Sequence, residues 1–428
     1  MENKSIGLFE GIGLYVTAIL GSGVLFISGA TASVAGPASL LSWLVVIVLS
    51  FPLAYTFACL SRQYPDAGGT ASFVRLSFGY HLGNLVGWFY FVCATIGQTV
   101  VALTGAFYVV NAFNLPHIYT IMTALIILFI GGTTNYFGLR ISGKAALMIS
   151  LCLLILLVTV IVVNLPNVSW NQFVPFNPFG WNHIGIAITM ILWSFFGWEA
   201  ICSLSTQFKQ PNKDIVRSTF ISAVIIGILF FMLSVVTIGT GIYGNFESDL
   251  SPIGIMMEQT LGIGAKMITA ALAFIICIGT VNAFVASIAQ LGYSLSRDGA
   301  FPAWFMKIDR NSQSPRRVII FAIMIAGVGV ILTEVLTMSF YDLLFIPTSL
   351  GLVVYVLSMA AGVKLFKRGT LAWTSSLLAF LLCVSILPFF ELHLYIPIVV
   401  AILYFGYMKA FREKQKGVND EGNQSIKL

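Results

Sequence analysis

Two long stretches of the chain carry no charged side chain. No Asp, Glu, Lys or Arg occurs from Leu76 to Leu139, or from Ala145 to Trp198. A membrane-spanning helix needs about 20 consecutive apolar residues, so each stretch is long enough for two spans. Over the whole chain 58% of the residues are hydrophobic and 9% are charged, which is too little charge to cover the core of a soluble protein. The sequence therefore predicts an all-α polytopic membrane protein.

The apolar windows between charges, turns and Pro/Gly clusters predict twelve transmembrane helices. The windows lie near 7–33, 37–61, 84–112, 118–136, 144–164, 183–206, 217–243, 265–294, 317–336, 341–364, 370–390 and 392–411. No linker is long enough to separate a second domain. We therefore expect one transmembrane domain over 1–412, followed by a cytoplasmic tail at 413–428.

The basic residues predict the orientation, because Lys and Arg are retained on the cytoplasmic side of a membrane. With the N-terminus inside and twelve spans, all 22 Lys and Arg residues except Lys266 fall in cytoplasmic segments. One missed or invented span would have moved the basic residues after it to the wrong side. Both termini are therefore predicted to be cytoplasmic.

The same topology accounts for the net charge of +6. No basic patch stands apart from it, so nothing predicts a nucleic-acid partner. The six cysteines lie within spans without CxxC spacing, which gives no indication of a metal site. The four histidines lie at loops or span ends, without HExxH or GxSxG motifs. An intramembrane enzyme and a bound cofactor are therefore not expected.

Small or polar residues interrupt two otherwise apolar spans. Gly21-Ser22-Gly23 interrupts the first span, and Phe195-Phe196-Gly197-Trp198-Glu199 interrupts the sixth. A single such cluster would be explained by close helix packing. Spans 1 to 5 begin inside and spans 6 to 10 begin outside, however, so the two clusters occupy matching positions in two groups of opposite orientation. This arrangement predicts an inverted repeat with a broken first helix in each half.

A helix that is interrupted inside a membrane leaves backbone N–H and C=O groups without partners. A zwitterionic amino acid satisfies both kinds of group. Its carboxylate meets the N-terminal end of the half-helix after Gly21, and its ammonium group meets the carbonyls before the break. The two breaks therefore predict a small-molecule amino acid substrate.

Three segments resemble the amino acid-polyamine-organocation superfamily of transporters. They are Leu20-Gly21-Ser22-Gly23-Val24, Tyr64-Pro65-Asp66-Ala67-Gly68-Gly69 and Arg297-Asp298-Gly299-Ala300-Phe301-Pro302. The resemblance implies a LeuT-like 5+5 inverted repeat with broken helices 1 and 6 and two extra C-terminal helices. The first repeat would cover 7–165, the second 182–364 and the two additional helices 370–411. Within the superfamily the chain resembles bacterial exporters of methionine and branched-chain amino acids, which implies the cytoplasmic (inner) membrane of a bacterium.

The resemblance also implies how the substrate backbone is bound. Ser22 and the Gly23 amide would bind the carboxylate. The carbonyl groups of Ile19, Trp193 and Phe196 would bind the ammonium group.

Other positions follow from the same resemblance. Gly21 and Gly197 would allow the open backbone and the close approach of the substrate. The substrate side chain would point toward spans 3, 8 and 10. Its expected lining residues are Gln98, Val101, Asn282 and Phe284.

Glu199 is the one charged residue expected near this site. A carboxyl group inside a membrane is a functional candidate by default, so we predict a role in gating or proton response, with hydrogen bonding to the broken backbone as the alternative. Trp193, just before the second break, is a candidate gate. Some relatives carry a lysine in span 5, but this span is uncharged from Ala145 onward. Proton coupling through such a lysine is therefore not expected. Exchange and proton-linked export both stay open, with the proton, sodium or no ion as the coupling ion.

The absence of other charges near the site predicts neutral, hydrophobic substrates. Methionine, leucine, isoleucine and valine fit Phe284 and Val101, while Asn282 and Gln98 leave alanine, serine and threonine open. The predicted function is a secondary active transporter, either an exchanger or a proton-linked exporter. A non-transporting amino acid sensor or an accessory membrane subunit is the alternative. The sequence leaves the direction of transport and the oligomeric state undetermined.

Overall fold

The computed structural model describes residues 6–64, 69–138, 143–199, 202, 208–309 and 314–425, with 143–146, 212 and 411–425 described by their backbone alone. Pro65–Gly68 of the second resembling segment therefore lies outside the described residues. The sixteen α-helices within these ranges are α1 (Leu8–Ile19), α2 (Ile27–Ala35), α3 (Ser39–Gln63), α4 (Gly69–Phe78), α5 (Tyr80–Ala112), α6 (Ile118–Tyr136), α7 (Gly143–Asn164), α8 (Trp181–Phe195), α9 (Pro211–Gly239), α10 (Phe246–Leu250), α11 (Pro252–Leu261), α12 (Ile263–Arg297), α13 (Arg316–Val335), α14 (Phe340–Leu365), α15 (Leu371–Ile386) and α16 (Tyr395–Ser425).

The all-helical class is confirmed. Apart from one isolated bridge between Ile6 and Phe208, the described part of the chain contains no β-structure. Each of the twelve predicted windows contains a helix. Nine helical segments among the described residues are long and apolar enough to cross a membrane, with α2 and α3 counted together and α15 and α16 counted together. The last helix continues to Ser425, into the segment predicted as a tail.

Apolar side chains cover the outside of the bundle as well as its core. On α13, Ile320, Met324, Val328, Ile331 and Val335 are exposed. Their spacing of three or four residues places them on one face of the helix. Such a stripe is unfavourable in water and suits contact with lipid tails. The structure thus agrees with a multi-pass membrane protein.

The helix α5 lies at the centre of the bundle, and most of its residues are buried. It packs against α12, α6 and α14. The helices α5 and α12 have 33 and 35 residues, or roughly 50 Å each at 1.5 Å per residue. Each exceeds the ~30 Å hydrocarbon thickness. Their ends can therefore extend beyond the apolar layer.

Ion pairs lie at both ends of α12. At the C-terminal end of α12, Asp298 accepts a hydrogen bond from the Arg75 guanidinium at 2.7 Å. Near its opposite end, Lys266 lies 2.7 Å from the Glu258 carboxylate. Lys266 is the basic residue that the predicted topology places outside, and this partner compensates the burial of its charge.

Candidate functional site

The first helix is broken where the Gly-Ser-Gly cluster predicts. The helix α1 ends at Ile19, and the extended backbone at Gly21 separates it from a short 3-10 helix over Ser22–Leu25. The helix α2 then begins at Ile27. Because a new helical turn opens at Ser22, its first N–H groups have no acceptor within that turn. The break thus presents backbone donors in a buried part of the protein.

The second break follows α8. This helix ends at Phe195, and Phe196 adopts an extended conformation with φ −71° and ψ 138°. Gly197 has a φ of +133°, a region that residues with a side chain rarely adopt. A Cβ atom at Gly197 would also lie 2.8 Å from the Ala18 carbonyl oxygen. Glycine at this position therefore permits both the turn and the close approach of α1.

The two breaks lie against each other. A Cβ atom at Gly23 would lie 2.6 Å from the Ser194 hydroxyl oxygen and 3.0 Å from Cδ1 of Trp193. Gly197 in turn approaches Ile19, whose Cγ1 would lie 3.1 Å from a Cβ at the glycine. The structure thus brings Gly23 against Trp193, and Ile19 against Gly197. Gly21 and Ser22 adjoin this contact in the chain, and the Phe196 ring packs on Tyr355 of α14, 5.1 Å between centroids.

Trp193 forms an aromatic wall beside the contact of the two breaks. Its indole edge approaches Gly97 of α5, where a Cβ atom would lie 2.8 Å from Cη2. The ring centroids of Trp193 and Phe284 are 6.4 Å apart, with an angle of 72° between the planes. Val101 is buried one helical turn after Gly97, on the same face of α5. Val101 and Phe284 thus lie on the Trp193 side of the site.

The two predicted amide residues have different surroundings. Gln98 is fully buried, its Nε2 lies 3.5 Å from the Ala94 carbonyl oxygen, and its Oε1 has no hydrogen-bond partner among the described residues. The Asn282 side chain instead donates a 2.6 Å hydrogen bond to the Thr134 hydroxyl of α6, and its backbone carbonyl accepts from Asn135 at 3.0 Å. Gln98 therefore retains an unused acceptor, whereas the Asn282 amide is engaged with a neighbouring helix.

Glu199 is held at the second break by three donors. The Tyr355 hydroxyl donates to Oε2 at 2.5 Å, and the Gly197 N–H donates to the same oxygen at 3.0 Å. The Tyr90 hydroxyl lies 3.4 Å from Oε1. In this structure Glu199 therefore bonds to the broken backbone at Gly197, which is the predicted alternative to a role in gating or proton response. The two tyrosines add links to α14 and α5.

Sequence reasoning missed four residues of this site: Gly97, Ser194, Tyr90 and Tyr355. Ser194 follows Trp193 directly in the chain, just before the second break. Its buried hydroxyl has no hydrogen-bond partner among the described residues. Most buried hydroxyls on these helices donate to a carbonyl three or four residues earlier, as Thr95 does. The adjacent break was a signal for Ser194. Nothing in the sequence linked either tyrosine to Glu199.

The chemistry available here is binding. The described residues contain no group of three His, Cys, Asp or Glu side chains that could hold a metal ion. The site instead combines backbone donors and acceptors from two broken helices with an aromatic wall. Such a site can bind a small molecule that carries both a carboxylate and an ammonium group.

Comparison with known proteins gives the family. The family model described as amino acid permease matches residues 6–409. The amino acid permease YecA of Bacillus subtilis is 33% identical over 411 residues, which cover 95% of this chain and 96% of YecA. The L-methionine/branched-chain amino acid exporter YjeH of Escherichia coli is 26% identical over 85% of this chain and 87% of its own length. The putrescine transporter PotE of Haemophilus influenzae is 25% identical over 87% of each chain.

These matches confirm the predicted superfamily and the prediction that the chain is a transporter and not an enzyme. They extend over nearly all of the described helices, including both breaks. The helical structure, with its exposed apolar stripe on α13, agrees with the membrane location that the family implies. The chain therefore belongs to the amino acid permease family, and it is a multi-pass membrane transporter of small molecules, for which the family implies amino acid substrates.

Proposed function

We propose that the chain is a secondary active transporter of neutral, hydrophobic L-amino acids that works by alternating access. It would act as an exchanger or as a proton-linked exporter. The observation that carries the proposal is the contact between the two breaks, where Gly23 lies against Trp193 and Ser194. This contact sets the N-terminal end of one half-helix beside the C-terminal end of another, the arrangement that a zwitterion requires.

In the proposed complex the substrate carboxylate binds the Ser22 side chain and the Gly23 amide. The ammonium group binds the carbonyl groups of Ile19, Trp193 and Phe196. A helix that ends at Phe195 leaves its last carbonyls without intrahelical donors. The Ser194 hydroxyl, which has no partner among the described residues, is close enough to Gly23 to add a third donor to the carboxylate.

The lining favours a neutral side chain. Val101, Trp193 and Phe284 supply apolar surface, and Gln98 supplies an unused amide oxygen. Glu199 is already held by Tyr355 and Gly197, so a cationic side chain would compete with those donors. The methionine and branched-chain specificity in the name of YjeH agrees with this lining. A polyamine such as the putrescine of PotE would leave the carboxylate-binding donors unused.

The proposal includes the twelve-span topology with both termini in the cytoplasm of a bacterial cell. A helix in each predicted window and two breaks at corresponding positions of 7–165 and 182–364 support an inverted repeat. In that arrangement the two halves would rock around the bound amino acid. Trp193 would open and close over it. Glu199 would link the second break to α5 and α14 through Tyr90 and Tyr355, with the proton as the candidate coupling ion.

The test is counterflow of labelled amino acids in proteoliposomes. The panel is leucine, methionine, alanine and putrescine, each with and without a sodium gradient or a proton gradient. We expect saturable leucine or methionine exchange in the wild type and its loss in Gly23→Leu. The matched control is Gly406→Leu on α16, because a Cβ at Gly406 would meet no neighbouring atom within 4 Å and the residue lies outside the proposed site.

Three results would redirect the proposal. Saturable putrescine flux without amino acid flux would replace the substrate class. Binding of leucine without flux, in folded protein, would favour the sensor or accessory-subunit alternative. Equal loss of flux in Gly406→Leu and Gly23→Leu would contradict the assignment of the Gly23 contact.

A further inference from the structure

A groove on the perimeter of the helix bundle, between neighbouring helices, lies apart from the two breaks. It has a volume of about 610 Å³ and lies between α3, α9 and α15. Its walls include Phe51 and Pro52 from α3, Phe220 from α9, and Leu371 and Leu378 from α15. Phe220, Leu371 and Leu378 are more than half exposed. The groove therefore opens toward the surroundings of the protein, which for a membrane-spanning bundle are lipid tails.

One cation lies among these apolar walls. Arg217 of α9 lines the groove, is exposed, and has no ion-pair partner among the described residues. Lys213, one helical turn earlier, and Arg368, three residues before Leu371, are exposed as well. The hydroxyl of Thr219, another lining residue, donates to the Tyr15 hydroxyl. The guanidinium of Arg217 is thus the strong polar donor that the groove offers to a ligand.

A ligand for this groove must combine a long apolar part with an anionic group at one end. A phospholipid with an anionic headgroup has this chemistry, and basic pockets between transmembrane helices bind such headgroups. We propose that the groove binds one anionic phospholipid, with its phosphate on Arg217 and an acyl chain along Phe51, Pro52 and Leu378. A second copy of the chain fits less well, because a two-fold contact through this patch would bring identical cations toward each other.

The groove is connected to the broken helix α1. Thr219 bonds to Tyr15 of α1, and the ring centroids of Tyr15 and Trp198 are 5.6 Å apart. Trp198 follows Gly197 directly in the second break. A bound lipid would therefore pack against α9, the helix that contacts α1 through this hydrogen bond. The binding itself depends only on the membrane location of the protein and not on which amino acid is transported.

Native mass spectrometry of the full chain, released from detergent micelles with defined lipid, tests the proposal. The probes are phosphatidylglycerol and phosphatidylcholine of matched acyl chains, presented separately and as an equal mixture. We expect preferential retention of one phosphatidylglycerol by the wild type. Arg217→Gln should lower this retention about fivefold, the equivalent of about 1 kcal/mol per basic residue near an anionic lipid surface.

Two further variants separate charge from shape. Lys409→Gln removes an exposed cation of α16 and should keep wild-type retention. Ser375→Trp fills the groove from α15 without changing any charge, and it should lower retention of phosphatidylglycerol. Thermal unfolding and gel filtration establish that each variant is folded before its lipid binding is compared.

The outcomes are distinct. Equal retention of the two lipids by the wild type, or wild-type retention of phosphatidylglycerol by both Arg217→Gln and Ser375→Trp, would overturn the proposal. A dimer without bound lipid that Ser375→Trp dissociates would assign the groove to a second copy of the chain. Because lipid binding is read without any amino acid present, this result is independent of the transport assay.

Discussion

The Tyr355 hydroxyl and the Glu199 carboxyl group are joined by a hydrogen bond of 2.5 Å, although 156 residues separate them in the chain. The bond connects the second helix break to the middle of α14. Tyr90 approaches the other carboxyl oxygen at 3.4 Å. Because the strength of a hydrogen bond falls with distance, the two tyrosines are predicted to contribute unequally.

Tyr355→Phe should lower the free energy of unfolding by about 1–3 kcal/mol, the range for loss of a hydrogen bond to a partly buried ionisable partner. Tyr90→Phe removes the longer bond and should have a smaller effect. Thermal unfolding of the two variants in the same detergent gives the comparison. Equal effects, or a larger effect of Tyr90→Phe, would contradict the geometry around Glu199.

Gly23→Ala should abolish or strongly slow transport and reduce stability by about 1–3 kcal/mol, as overpacking does. The added methyl group would lie 2.6 Å from the Ser194 hydroxyl oxygen. Removing that oxygen should relieve part of the clash, so Gly23→Ala with Ser194→Ala is expected to be more stable than Gly23→Ala alone. Melting temperatures of the single and double variants measure this coupling. If the stability effects of Gly23→Ala and Ser194→Ala simply add in the double variant, direct contact between the two residues is contradicted.

Ser194→Ala alone tests the proposed third donor to the substrate carboxylate. Loss of a hydrogen bond to a charged group corresponds to roughly a tenfold or larger rise in KM for leucine. The amine obtained by decarboxylating leucine lacks the acceptor, so inhibition by that amine should change little. Inhibition of labelled leucine counterflow by unlabelled leucine and by the amine measures the apparent affinity for each compound. An equal loss of affinity for both compounds would indicate a general packing defect.

Asn282→Ala and Phe284→Ala should affect different properties. The Asn282 amide bonds to Thr134, so its loss should lower stability by about 1 kcal/mol and leave KM for leucine nearly unchanged. Phe284 lies beside Trp193, so its truncation should raise KM. Transport kinetics and thermal unfolding of each variant check the assignment. A large KM effect of Asn282→Ala would instead support its predicted substrate contact.

Asp249, in the short helix α10 outside the apolar spans, should make stability depend on pH. Burial raises the pKa of its carboxyl group, and hydrogen bonds from Gly244, Ser33 and Tyr341 partly offset this rise. The folded protein thus keeps the proton to higher pH than the unfolded chain does. The resulting contribution to the free energy of unfolding is present at acid pH and is lost as pH rises through the folded-state pKa.

Asp249→Asn cannot titrate and should lack this component. Melting temperatures of wild type and variant between about pH 4 and pH 8, a range that begins near the ordinary carboxyl pKa, give the difference. We expect the wild type to lose stability relative to Asp249→Asn as pH rises. A constant difference over the whole range would contradict the raised pKa.

The sequence by itself determined the membrane class, the helix windows and the positions of the breaks. These features depend on local properties: charge-free stretches long enough to cross a bilayer, and glycines where the helical backbone opens. Gly21 to Gly23 and Gly197 could therefore be located without knowledge of packing. Their contact also agreed with the expectation that both halves of the chain form one site.

The tertiary structure decided which helix faces meet. In a soluble helix the apolar side indicates the core, but here lipid-facing residues such as Met324 and buried residues such as Val101 are equally apolar. Periodicity could not place the Asn282 amide on Thr134, pair Tyr355 with Glu199 or form the groove at Arg217. Those relationships depend on the rotation and depth of each helix in the bundle, which packing between distant segments fixes.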